Sequence, residues 1–139
     1  MARPHIMFVQ AQMIPWSSGC HGAIYGDVDS KMLSQDDVDG SATTIIRYPA
    51  GWTRRDPHSL SCHEEFLVLD GAININGRLY EKHTYGFLPA GYPRERLSSA
   101  HGAVLLTMFY GVPRALAGSS SSFDEKLLVE YVNPLLMEW

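Results

Sequence analysis

Cysteine is nearly absent: Cys20 and Cys62 are the two in 139 residues, and they do not form a C-x-x-C pair. Two are too few for a disulfide framework or a thiolate zinc cluster, and they fit a reduced compartment. Charge is sparse as well, at 19% of residues with a net charge of −4. No basic stripe is interleaved with aromatic residues, so nucleic-acid binding has little support. No apolar run approaches membrane-spanning length, and Ile6 to Val9 is too short for the apolar region of a signal peptide and lacks a cleavage site. The expectation is a cytoplasmic protein with neither a nucleic-acid nor a membrane partner.

What the chain does have is apolar residues, 45% of the total, enough for one core and hardly two. One domain is therefore expected, divided into an N-terminal arm and loops (1–42), a core (43–116), and a linker with a C-terminal arm (117–139). Residues 5–16 read as an extended arm that ends at Pro15. Residues 17–41, rich in Gly, Ser and Asp, read as loops around short strands such as Ala23–Tyr25. Thr43–Tyr48 is β-branched and bounded by Pro49-Ala50-Gly51, which predicts a strand, and Ala103–Tyr110 predicts another, buried one. Asn76-Gly77 between Ala72–Ile75 and Arg78–Tyr80 predicts a type I′ hairpin. Short strands punctuated this often imply a closed or sandwiched all-β fold.

After the Gly118–Ser122 linker two readings compete. Ser122-Phe123-Asp124-Glu125 has the form of a capping box opening a helix. Against it, Val129-Glu130-Tyr131-Val132 followed by Trp139 echoes Ile6-Met7-Phe8-Val9 followed by Trp16, which favours two matching extended arms. Arms carrying Phe8, Trp16, Tyr131 and Trp139 need a surface to bury them, and a two-fold homodimer exchanging strands supplies one.

The organising stretch is His58 to Gly71. Read with period two, it sends His58, Leu60, Cys62, Glu64, Phe66 and Val68 to one face. Both faces turn apolar toward its end, which predicts a strand covered on both sides. The spacing of His58, Glu64 and Gly71 resembles the first motif of the cupin superfamily, G-x5-H-x-H-x(3,4)-E-x6-G, with Leu60 at the second histidine position. Gly86 to Arg94 resembles its second motif, G-x5-P-x-G-x2-H-x3-N, matching at Pro89 and Gly91 and carrying Arg94 where the histidine belongs. The likeness covers roughly residues 43–110 and is nearest the ChrR-like cupins. It implies an all-β, RmlC-like jelly-roll barrel with extended N- and C-terminal arms.

The resemblance also implies a divalent metal (Fe, Mn, Ni or Zn) held by imidazoles and a carboxylate. Only His58 and Glu64 keep that chemistry, because leucine cannot ligate and a guanidinium is permanently protonated. A rebuilt site would recruit His63 or His101, with His83 also nearby. Without metal, Arg94 and Arg96 share parity, and both facing the interior would call for an anionic small-molecule ligand. Catalytic roles then fall to His58 and Glu64 as acid and base and to Arg94 as anion clamp, with Arg96, Trp52 and Tyr92 as substrate contacts. Three functions follow: an isomerase, cyclase or lyase acting on a carbonyl-bearing or carboxylated anion; a metal-dependent dioxygenase or lyase; and a non-catalytic binding or sensing module. Against all three, Glu64 and Arg94 are equally read as a buried ion pair that only holds the structure. Cys62 shares the inward parity but reads as a small core residue.

Overall fold

The computed structural model describes residues 13–117 and the backbone of Val129–Val132. Twelve strands build the described part: β1 (Ser17–Ser18), β2 (Asp29–Gln35), β3 (Ala42–Tyr48), β4 (Trp52–Arg54), β5 (His58–Leu60), β6 (Glu64–Ile75), β7 (Arg78–Glu81), β8 (Tyr85–Leu88), β9 (Leu97–Ser99), β10 (Ala103–Phe109), β11 (Ala115–Ala117) and β12 (Val129–Val132). All pairings are antiparallel. One curled sheet runs β1-β2-β3-β10-β6-β8-β12, and β7, β9 and β4 branch from it, while β5 and β11 make a separate pair. No described helix is long and apolar enough to cross a membrane.

The barrel follows from alternation. Along β3 and β10 every second residue is buried, so Ile46, Tyr48, Leu105 and Phe109 meet Phe66, Val68 and Leu88 in a single core. Strand β6 joins the two walls. Its first half pairs with β8 and β10 and its second half with β7 and β9. The corner between them is a register shift opposite Val104 and Leu105, followed by Gly71 at φ +69°. A Cβ at Gly71 would lie 2.1 Å from the Gly102 carbonyl oxygen, so only glycine fits the close approach. The Asn76-Gly77 hairpin forms as predicted, with φ of 55° and 84°.

Three expectations need correction. Ala23–Tyr25 is not a strand: residues 21–23 form a 3₁₀ turn, and Tyr25 sits in the bend after it. In its place, the seven residues of β2 pair along β3 within the stretch read as loops. β6 is not covered on both sides either, since Leu67 is half-buried and Leu69 is 36% exposed on the outer face. The terminal arms are described only at 13–16 and at β12, which adds to β8 as an extended segment. The capping box and the rest of both arms lie outside the described residues.

Candidate functional site

His58, Glu64 and Arg94 meet inside the barrel, each no more than 3% exposed. The backbone sets their register. His58 and Arg94 form an isolated antiparallel bridge, exchanging N–H to O bonds of 3.1 and 2.7 Å, so their side chains leave the same side. That pairing is delivered by the turn at Pro89–Tyr92, closed by the Tyr92 amide donating to the Pro89 carbonyl at 3.0 Å. Gly91 takes the φ of +83° this turn requires, and its amide ties back to the Leu60 carbonyl at 2.9 Å. Glu64 begins β6 between Leu88 and Phe109, two apolar neighbours that leave its carboxylate dependent on Arg94.

The side chains form one hydrogen-bonded chain. Arg94 Nη1 donates to Glu64 Oε1 at 2.6 Å and to the Tyr25 hydroxyl at 3.3 Å. The Tyr25 hydroxyl lies 3.1 Å from His58 Nε2, and His58 Nδ1 lies 3.0 Å from the Asp56 carbonyl oxygen. A carbonyl can only accept, so Nδ1 carries the proton and Nε2 accepts from Tyr25. Burial holds the His58 imidazole below its ordinary value, consistent with that neutral tautomer. Burial likewise pushes the Tyr25 phenol up to about 12, although Arg94 pulls the other way. Burial would by itself lower Arg94, but Tyr25 and Glu64 more than restore it and hold it fully charged.

One part of this network is unfinished. Arg94 Nε and Nη2 are buried and have no partner among the described residues. These two nitrogens share one edge of the guanidinium plane, the edge that takes a carboxylate with two parallel bonds. An aromatic wall surrounds the cluster. Trp52 packs edge-on to Tyr25 and Tyr48 at 5.4 and 4.8 Å between centroids, and its indole N–H donates to the Gly26 carbonyl at 3.2 Å.

The other predicted residues fall elsewhere. Tyr92 is buried, with its hydroxyl accepting from Asn76 Nδ2 at 3.3 Å. Cys62 is buried too, its thiol pushed up to about 11 by burial and then by the Glu64 charge, which suits a packing residue better than a nucleophile. Arg96 is exposed and does not join Arg94 in the interior. The backbone between them leaves strand geometry, and the buried parity passes from residue 94 to residues 97 and 99. His63 stays on the outer face, where Nδ1 accepts from the Ala90 amide at 2.8 Å and the ring packs on Phe87. His101 is exposed in a surface groove of about 510 Å³ with Asp27, Asp29, Asp70 and Arg47, and His83 is exposed in a turn at φ 73°. Neither imidazole is placed near Glu64. Tyr25 was not singled out by the sequence, which put it in a short strand; it reaches this centre from a bend instead.

These residues do not fit a cupin metal ion. No group of at least three His, Cys, Asp or Glu able to hold one exists among the described residues. Where the ion would need the Glu64 carboxylate and the His58 lone pair, Arg94 takes the first and Tyr25 the second.

A curled antiparallel barrel whose polar cluster takes its His from β5, its Glu from the start of β6 and its Arg from just beyond the Pro-x-Gly turn after β8 is a cupin. Residues 5–112 match the ChrR Cupin-like domain, and the chain belongs to that family. A putative dioxygenase from Nostoc punctiforme superposes with a TM-score of 0.69 at 20% identity over 88% of this chain and 44% of that one, so the chain spans less than half of that protein. A putative acetylacetone dioxygenase from Methylibium petroleiphilum gives a TM-score of 0.69 at 19% identity over 87% of each chain. The anti-sigma ChrR of Rhodobacter sphaeroides, solved in complex with SigE, gives 0.55 at 14% identity over 72% of this chain and 51% of that one. No curated protein sequence matches the chain. At these identities the solved structures establish the fold alone.

Proposed function

We propose that the chain is a small-molecule cupin acting by acid/base chemistry on a carbonyl-bearing or carboxylated organic anion, in the manner of an isomerase, cyclase or lyase. The observation that carries this reading is the unpartnered Nε/Nη2 edge of Arg94, a buried cation with donors to spare beside a phenol and a neutral imidazole. A carboxylate or enolate docked on that edge would share the guanidinium with the Tyr25 hydroxyl, which is held at Nη1. His58 Nε2 accepts the phenol proton while the phenolate oxygen removes the proton α to the ligand's carbonyl. The resulting enolate is balanced by Arg94. Return of the proton to a different atom isomerises the ligand, and loss of a β substituent makes the step an elimination. Glu64 acts by positioning: its bond to Nη1 fixes which edge of the guanidinium faces the ligand.

The test pairs binding with exchange. Malonate, acetoacetate and oxaloacetate should raise the melting temperature and malonamide should not, and the α protons of the bound ligands should exchange in D2O. Tyr25→Phe should keep binding and lose exchange. Absence of both binding and exchange across these carboxylates would overturn the proposal. Binding without exchange would favour the sensing module, a rival supported by how closed the centre is.

A strand-exchanged homodimer is the assembly we infer. Ile45, Leu106, Leu67 and Tyr85 make an apolar row across the outer face of four strands, each of them half-buried, and β12 enters at the margin of that face by pairing with β8. Light scattering coupled to size exclusion distinguishes dimer from monomer directly.

A further inference from the structure

We propose a second anion site, outside the barrel, at which Arg55 and Arg96 hold a phosphoryl group, either free phosphate or a small phosphomonoester. The placement comes from register. Thr53 pairs with Ser98, and Ser98 with Asn74, so these three polar side chains form a row across β4, β9 and β6. Their neighbours Trp52, Leu97, Ser99, Ile73 and Ile75 are buried, which puts the row on the outer face. Continuing the Thr53–Ser98 register by two residues along each chain sets Arg55 against Arg96. Both are exposed, and both line a groove of about 510 Å³ together with Thr53, Asn74, Gly77, Leu97 and Ser98.

Like charges directly opposed across antiparallel strands are destabilising. Three other arginines of this chain are set against acids: Arg47 with Asp29, Arg54 with Asp56 and Arg94 with Glu64. Here the lining residues include no Asp or Glu. Local geometry holds the arrangement in place. Asn76 Oδ1 accepts from the amides of Glu95 and Arg96 at 2.6 and 3.3 Å, pinning the backbone that carries Arg96. Gly77 leaves the space above the hairpin open, with Arg96 Nη2 3.8 Å from where its Cβ would stand. Asn74 Oδ1 is occupied by the Gly77 amide at 2.8 Å, which leaves its NH2 group as the part able to serve a ligand.

The groove therefore presents two guanidinium forks, two hydroxyls and an amide NH2 with no competing acid. A carboxylate has two oxygens and is satisfied by one fork. A phosphoryl group, doubly charged and with three terminal oxygens, can engage both forks and the hydroxyl floor together.

The test uses the full chain, labelled with 15N, titrated at constant ionic strength with inorganic phosphate, glycerol 3-phosphate, acetate and chloride. Saturable shifts should appear at the amides of residues 53–55, 74–77 and 96–98 and at the Arg55 and Arg96 side chains, with either phosphoryl probe and with neither control. Arg55→Ser or Arg96→Ser should weaken binding about tenfold or more, and Arg96→Lys should fall between. Stronger binding of the ester assigns the site to a phosphorylated small molecule, and equal binding assigns it to free phosphate. Shifts that chloride reproduces, or affinity that survives Arg96→Ser, would overturn the proposal. Arg94→Lys should leave this titration unchanged, which keeps the outcome separate from that of the interior site.

Discussion

Arg94 and Arg96 are two residues apart in sequence, yet they occupy opposite sides of the barrel wall. Arg94 is 2% exposed, fixed at Nη1 by Glu64 and Tyr25, and its charge is compensated by a carboxylate 2.6 Å away. Arg96 is exposed and lines a groove with a second arginine, Arg55, and no acid. The same side chain is thus a structural commitment in one place and a solvated charge in the other. Burial decides between them: in a low-dielectric interior an unpaired ion carries a penalty that water removes at the surface.

Breaking the inner pair should have the largest effect. Glu64→Ala leaves a buried uncompensated guanidinium and should destabilise the fold by about 3–5 kcal/mol, read from the urea midpoint. Should Glu64→Ala cost no more than a surface substitution, the inner and outer arginines are not different in kind. Tyr25→Phe comes next. It strips a partner from both His58 Nε2 and Arg94 Nη1 and should cost about 1–3 kcal/mol in the same assay.

His58 sharpens the comparison through pH. Its imidazole binds a proton less readily in the folded state than at its ordinary value of 6.5. The unfolded chain therefore takes up the proton first, so this contribution is complete above that value and is lost as pH falls through the folded value. Melting temperatures should decline toward acid across that window in the wild type, and less steeply in His58→Gln.

At the outer pair the sign should reverse. Arg96→Ser removes one of two like charges lining the same groove and should change stability by no more than about 0.5 kcal/mol, in the stabilising direction and more so at low salt. A qualitative check stands beside these. Arg94→His adds an imidazole beside His58 and Glu64 and removes the competing cation, so that variant should develop the visible absorption of bound Co2+ while the wild type does not. Stoichiometric Co2+ uptake by the wild type at this centre would contradict the role given to Arg94.

The fold was largely legible because alternation survives wherever hydrogen bonding is regular. The parity from Glu64 to Val68, the strands around Ile46 and Leu105, and the Asn76-Gly77 hairpin all follow from it, whereas β5 is buried at Ser59 as well as at His58 and Leu60. The motif spacing likewise pointed to the barrel and to the meeting of His58, Glu64 and Arg94. What escaped lies where regularity stops. Arg96 follows an interruption that advances the inward parity by one residue, and Leu69 sits at the register shift that turns β6 outward. Tyr25 reaches the centre from a loop, and its 33-residue separation from His58 leaves no local pattern to read.

Strand β6 has a kinetic consequence. Its twelve residues belong to both walls, so neither wall can assemble while the other remains fully open. Its partners are distant in sequence: Phe66 pairs with Thr107, and Thr107 in turn with Thr44. Loop closure over such spans is entropically slow before contacts reward it. Refolding should accordingly appear as a single concerted phase in which amide protection arises together at both ends of β6, as pulse-labelled hydrogen exchange would record.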